Sequence, residues 1–509
     1  MATSLKSAIF SAFLSKTTIL LLSVLFTPLL VRLLGPTRYG QYAVVVSVYA
    51  VVSTFTTDGT AEALRKYISE NPDERWQTAV LSAVFRPAVG LSLVAAVGFV
   101  LAARTGLAAR AFGDPFTSLF YLLGAYAVAR QLRIHVMWAL MGLQLESKSE
   151  PLRVLRKLLF VTLSLGLVYL GFGVEGVLVA DIVTNAIVSA VGFLFLAREL
   201  PLRPGTSAPH PELPKRQFAE YSVHYVFFGL FLMSLYHVDV LLLQTWRAEE
   251  IVGYYRGALA IAEVLWLAPF AVQFALIQRV SQDWRKGNID AIQQTAARVT
   301  NYVFLFTTLL SLGIAALAAD FVPLYLGDSF SPAIVPLLLL LPGVLGFAVA
   351  RPALAINQGR RSLRPLIAAT GACSLVNLVL NLLLIPPYGM AGAAVATSIG
   401  YGSLVVFQSI AARRLGYEPL TGIRPRPTLL TIGATAIVIF PLARIISSSV
   451  LALVVVPPLG AIVYATALIS TGAVTREELA AVLEGIDPIP DRFQRGVVSM
   501  VDRIPKVGD

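Results

Sequence analysis

The chain has one cysteine and four histidines in 509 residues, and only 14% of its residues are charged. The lone thiol, Cys373, excludes an internal disulfide and a multi-cysteine metal site, and its apolar surroundings in the sequence mark it as a small packing residue. The sequence contains no G-x-x-x-x-G-K-S/T loop, no H-E-x-x-H and no G-x-S-x-G. No polar segment is long enough for a nucleotide-binding domain, which argues against a primary ATP pump. Acidic residues do not cluster outside the apolar runs, which argues against a glycosyltransferase holding a metal or a nucleotide-sugar. Neither catalytic residues, a cofactor nor a metal is expected.

What fills the chain instead is hydrophobic, at 57% of residues and a mean hydropathy of +0.75. Runs of about 20 apolar residues, enough for a helix to cross a ~30 Å hydrocarbon core, recur almost to the C-terminus. The expected fold is an all-α polytopic membrane protein of about fourteen spans. They fall at 9–34, 41–64, 79–103, 116–140, 153–172, 174–197, 221–244, 252–277, 297–320, 331–357, 364–386, 388–411, 427–446 and 449–471. The first run has no small-residue cleavage site and reads as a span, not a removed signal. The net charge of +11 is a topology signal and calls for no nucleic-acid partner. Lys and Arg concentrate in alternate connections, roughly 29 on one side against roughly 6 on the other, which by the positive-inside rule puts both termini in the cytoplasm.

Two motifs occur twice. FGVEGVLVAD at 172–181 is echoed by YGMAGAAVAT at 388–397, and YGQYAVVVSV at 39–48 by VGYYRGALAI at 252–261. An offset of about 215 residues is far beyond solenoid repeats, so the repeating unit is half a carrier. The proline-rich stretch at 201–220 reads as a cytoplasmic linker between an N-terminal six-helix lobe (1–200) and a C-terminal one (221–412). An even number of spans per lobe makes the repeats parallel. Two additional helices (427–471) and a cytoplasmic tail (472–509) follow, the tail opening on a capping-box pattern at Thr475 and Glu478. Gly389, Gly392, Ala393, Ala396 and Gly400 form a small-residue face suited to close helix packing.

LLGPTRYGQY at 33–42, VDVLLLQ at 238–244, VGYYRGA at 252–258, LGDSFSPAIVPLLLLLPG from Leu326 and NLVLNLLLIPPYGMAGAAVATSIGYG from Asn377 carry a family resemblance. In order and spacing the chain resembles polysaccharide and O-antigen flippases of the multidrug/oligosaccharidyl-lipid/polysaccharide exporter superfamily. The resemblance implies two six-helix lobes in a V that open alternately to either side. It also implies cargo on a polyprenyl or dolichyl phosphate or pyrophosphate, with the lipid tail left in the bilayer or in a groove near the extra helices.

Charged groups at membrane depth mark a pathway or a partner. Arg130 and Arg133 share a helix face in the fourth span, with His135 nearby, and suit bidentate phosphate contacts, though the arginines would equally snorkel if they lay nearer the interface. Arg86 either joins them or neutralises Asp58 or Glu62. Asp58, Glu62 and Arg65 lie along one face, where an interfacial ion pair competes with a coupling role. In the second half, Asp239 near His237 is expected to pair with Arg256, and the deeper Glu263 is a candidate for proton or cation coupling or for helix packing. Arg351, Asn357, Asn377 and Asn381 line the same half or bond between helices.

The expected activity is translocation of a lipid-linked oligosaccharide or polysaccharide repeat unit from the cytoplasmic to the outer leaflet by a monomer in the plasma membrane. Its partners would be that lipid-linked glycan, membrane lipids and glycan-assembly enzymes. A multidrug or organic-cation antiporter of the same superfamily would need acids in its cavity, and the first span has none. A membrane glycan ligase or polymerase would need a large outer loop, and the outer connections are short.

Overall fold

In a computed structural model, described over residues 2–200, 215–359, 364–475 and 478, the chain is helical and the described residues hold no strand. An apolar chain in lipid has no water to satisfy its peptide groups, so each segment bonds internally as a helix. The helices are α1 (Ala2–Ser53), α2 (Gly59–Glu70), α3 (Glu74–Arg104), α4 (Leu107–Phe112), α5 (Phe116–Gly142), α6 (Glu146–Leu167) and α7 (Gly173–Glu199). Next come α8 (Lys215–Trp246), α9 (Glu249–Ala262), α10 (Leu267–Lys286), α11 (Ile289–Leu326) and α12 (Ile334–Gln358). The last are α13 (Arg364–Arg414), α14 (Pro425–Ile445) and α15 (Ser449–Ser470). Residues 201–214 of the expected linker, and the tail beyond Thr475 apart from Glu478, lie outside the described residues.

Among the described residues, ten helical stretches are long and apolar enough to cross a membrane. Several run past the apolar stretches that signalled them: α11 starts at Ile289, capped by Asn288 accepting from the Ala291 amide at 3.2 Å, where the hydropathy alone placed a span at 297–320. Others join two expected spans. Helix α1 breaks at Gly35 (φ 70°, ψ 174°), and α1 continues into α2 through a π-helical turn, Thr54–Asp58. The duplicated motifs share a backbone conformation: Gly173 (φ 56°, ψ −136°) and Gly389 (φ 57°, ψ −131°) stand at equivalent places and reverse the chain in a region open only to glycine. The capping box forms, with the Thr475 amide donating to Glu478 Oε2 at 2.8 Å and the Glu478 amide to Thr475 Oγ1 at 3.2 Å.

The described residues pack as two compact units, one from residues 1–257 and 377–396, the other from 258–376 and 397–509. The first division between these units falls after Gly257, within α9. In the first unit α5 packs on α3 and α7, while α1 packs on α6 and α8. Leu64, Ile68, Val84, Val136, Leu140 and Leu196 are fully or almost fully buried in its core. In the second, α11 packs on α12 and α15, and a cluster of Leu317, Ile439, Ala452 and Val456 ties α14 and α15 to α11. Large apolar side chains such as Val94, Leu429, Ile437 and Val454 face outward, as lipid rather than water requires. Cys373 is buried, in keeping with a packing role.

Candidate functional site

Helix α5 is not among the ten apolar stretches. It carries Arg130, Gln131, Arg133 and His135 within its helical run, and packing on α3 and α7 holds it in the first unit. Helical spacing sets Gln131 and His135 on one face of α5 and Arg130 and Arg133 on another. Gln131 and His135 turn into the polar core beside the π-helical turn. Gln131 Nε2 donates to the Thr56 carbonyl at 2.9 Å and the Ala88 carbonyl at 3.0 Å, and the Gln131 side chain also accepts from the Thr57 hydroxyl. The His135 ring meets Thr60 Oγ1 and the Gln131 carbonyl, each at 3.0 Å. These bonds satisfy His135 structurally, and it lines neither cavity described below.

Arg130 faces a cavity of about 190 Å³ between α1, α5, α6 and α7. Its Nη1 donates to the Tyr126 hydroxyl at 2.8 Å, and its guanidinium lies 5.0 Å from the centre of the Tyr49 ring. Tyr49 and Tyr126 pack edge to face at 4.6 Å, so the rings fix the arginine against a rigid wall. Across the cavity stands Arg156, whose Nη2 pairs with Asp181 Oδ1 at 3.0 Å. Asp181 also accepts from Asn185 Nδ2 at 2.9 Å, and Asn185 in turn accepts from Arg133 Nε. The Nε groups of both Arg130 and Arg156 are buried without a hydrogen-bond partner. A buried donor is costly to leave unmade, and two of them on facing arginines mark where an acceptor belongs.

Arg133 lines a second cavity, about 260 Å³, with Arg153, Arg156 and Lys157 of α6. Arg156 is common to both. Five cations, Arg130, Arg133, Arg153, Arg156 and Lys157, thus line the two cavities against one carboxylate, Asp181. Such an excess of partly buried positive charge favours an oxyanion and disfavours a cation.

Sequence reasoning placed Arg130 and Arg133 in the fourth span but passed over their partners. Arg153, Arg156 and Lys157 read as topology charge of a connection, whereas they occupy α6 itself at spacings of three and four, which is one helix face. Asp181 is the polar residue that ends the duplicated FGVEGVLVAD motif, where the second copy has Thr397.

The other candidates stand elsewhere. Arg86 is exposed on α3 and lines neither cavity. Glu62 pairs with Arg65 one turn on. Asp58 is partly buried at the end of the π-helical turn and lines neither cavity. Asp239 is fully buried and accepts from the Tyr255 hydroxyl and, at 2.7 Å, from the Val240 amide. Arg256 is half-buried on α9, and Glu263 opens a one-turn 3-10 segment before α10. In the second unit Arg351 is buried 3.3 Å from the Phe270 ring centre and donates to Gln273 Oε1 at 2.8 Å. Asn357 donates to Gln408 Oε1 at 2.9 Å, a bond between helices. In the first unit Asn381 donates to the Asn377 carbonyl at 2.9 Å, within its own helix.

This architecture is that of an all-helical, multi-pass membrane protein, and its fold is shared with MurJ and MATE structures. The lipid II flippase MurJ in an inward closed conformation superposes with a TM-score of 0.70 at 13% identity, covering 90% of this chain and 97% of that one. An inward-facing multidrug resistance MATE family transporter superposes with a TM-score of 0.60 at 15% identity, covering 79% and 98%. The chain belongs to the polysaccharide biosynthesis protein family, whose model matches residues 5–271, just over half of its length. It is 26% identical over 292 residues to an uncharacterized membrane protein of Methanocaldococcus jannaschii, and the match covers 53% of this chain and about half, 54%, of that relative.

Proposed function

We propose that the protein is a flippase that moves a lipid-linked oligosaccharide or polysaccharide repeat unit from the cytoplasmic to the outer leaflet by alternating access. The observation that carries this reading is the pair of buried, unpartnered Nε donors of Arg130 and Arg156, facing one cavity beside a single carboxylate. A phosphate or pyrophosphate group presents the oxygens these donors lack, and arginine holds it in a bidentate fork. An organic cation would meet repulsion there. Family membership supports a glycan cargo.

The breaks at Gly35, Gly173 and Gly389 within three of the apolar stretches, together with α5, support a reading of fourteen passes in two parallel six-helix lobes followed by α14 and α15. The skew of Lys and Arg supports cytoplasmic termini in the plasma membrane. The partners are the prenyl- or dolichyl-linked glycan, the surrounding lipids and the enzymes that assemble the glycan. Deletion of the gene tests the reading: lipid-linked oligosaccharide should accumulate on the cytoplasmic leaflet and reach the outer one when the gene is restored. Normal exposure on the outer leaflet in the deletion strain would sink it.

A further inference from the structure

The cavity between α1, α5 and α6 is separate from the one at Arg130 and has its own chemistry. Four of its lining side chains are cations, Arg133, Arg153, Arg156 and Lys157, and none is a carboxylate. The acids that approach from outside leave much of that charge uncompensated. Glu150 reaches Arg153 only at 3.7 Å, and Asp181 is engaged by Arg156 at 3.0 Å. Lys157 makes no ion pair among the described residues, and its ammonium lies 5.2 Å from the Phe26 ring centre. Arg153 Nη2 sits 2.8 Å from the Met141 sulfur, a weak acceptor for a guanidinium. Arg156 Nε is buried with no acceptor at all.

The rest of the lining is apolar: Ile19 of α1, and Ile134, Met137, Trp138 and Met141 of α5. Beside it, Leu20 and Leu21 on α1 and Leu155 and Leu158 on α6 are exposed, as side chains that face lipid are. A small soluble anion has no use for such walls. A ligand with a phosphate head and a hydrocarbon chain matches both the cations and the apolar residues.

We propose that this cavity is a second phosphate subsite, where the phosphate of a long-chain lipid docks laterally from the bilayer before passing, by way of the shared Arg156, to Arg130. The inference rests on the flippase reading for the order of the two steps. It assigns Arg153 and Lys157 as the residues that capture the head group, and Arg156 as the one that hands it on.

Trp138 in the lining is a built-in reporter. The full-length protein in phosphatidylcholine nanodiscs is titrated with farnesyl monophosphate, farnesol and inorganic phosphate, and the Trp138 contribution is isolated by comparison with Trp138→Phe. Farnesyl monophosphate should change the emission saturably, while farnesol and inorganic phosphate should leave it flat over the same range. Lys157→Gln and Arg153→Gln should each weaken the response about tenfold or more, as expected for a lost charge-assisted contact. The exchange Arg153→Lys with Lys157→Arg keeps the charge and should restore it, which separates loss of binding from loss of folding. Equal response to farnesol would reveal a plain apolar groove, and equal response to inorganic phosphate a site for a soluble anion; either overturns the subsite. Arg130→Ala should abolish glycan export and leave the Trp138 response in place. Full export by Lys157→Gln with Arg153→Gln overturns docking here and leaves the flippase standing. A saturable Trp138 response with no glycan transport by the wild type sinks the flippase and leaves the subsite standing.

Discussion

Gly40 and Gly253 meet in a reciprocal contact. A methyl group on Gly40 would stand 1.9 Å from the Glu249 carbonyl oxygen, and one on Gly253 would stand 2.0 Å from that of Pro36. The two glycines occupy the same position in the two copies of the motif at 39–48 and 252–261, so each copy presents to the other the surface that it receives. Gln41 Nε2 closes the contact by donating to Glu249 Oε2 at 2.8 Å.

Gly40→Ala or Gly253→Ala must push these backbones apart, since the obstructing atoms are main-chain carbonyls with no rotamer to yield. Overpacking of this kind costs about 1–3 kcal/mol or more. Each variant should therefore show a lowered thermal midpoint in detergent, and an unchanged midpoint would contradict the contact. Gln41→Leu, which removes only the hydrogen bond, should lower it less.

Arg130 and Arg133 replaced together by alanine should abolish glycan export while the protein remains in the membrane. The double change removes one cation from each cavity and leaves Arg156, paired with Asp181, as the cation common to both. Cell-surface glycan, normalised to the amount of protein in the membrane, measures this. Unaltered export would remove both residues from the site.

Asp181→Asn should strengthen phosphate binding and slow turnover. The carboxylate now competes with any oxyanion for Arg156, at 3.0 Å. Neutralising it leaves an amide that still bonds Asn185 but no longer offsets the charge. Affinity for a prenyl phosphate should rise about tenfold, the effect of about 1.4 kcal/mol, and export should fall because release is slower. Weaker binding would mean that Asp181 serves only to order the arginine.

Glu62→Gln should change little. Its pair with Arg65, whose side chain is 44% exposed, is of a kind worth about 0–1 kcal/mol. Export should stay near the wild-type level, and a strong loss would restore Glu62 as a coupling acid.

Helix positions were legible because apolar runs of spanning length announce themselves in any window, and the corner at Gly389 was legible because its motif recurs. The cation pair of α5 could be read from a spacing of three. Its partners could not, since Arg156 and Lys157 look the same whether they hold a topology in a connection or line a cavity within a helix. Arg86 shows the converse: a cation within an apolar run looks like part of a site, yet it turns to the exposed face of α3.

By itself, then, the sequence determined an all-helical chain built for lipid, a duplicated pattern and an excess of positive charge, because these depend on composition and period alone. Tertiary packing decided which charges meet. Periodicity gives each helix a face but says nothing of which neighbour that face will find, and only the packing of α1, α5, α6 and α7 puts Arg130 and Arg156 across one cavity from each other beside Asp181.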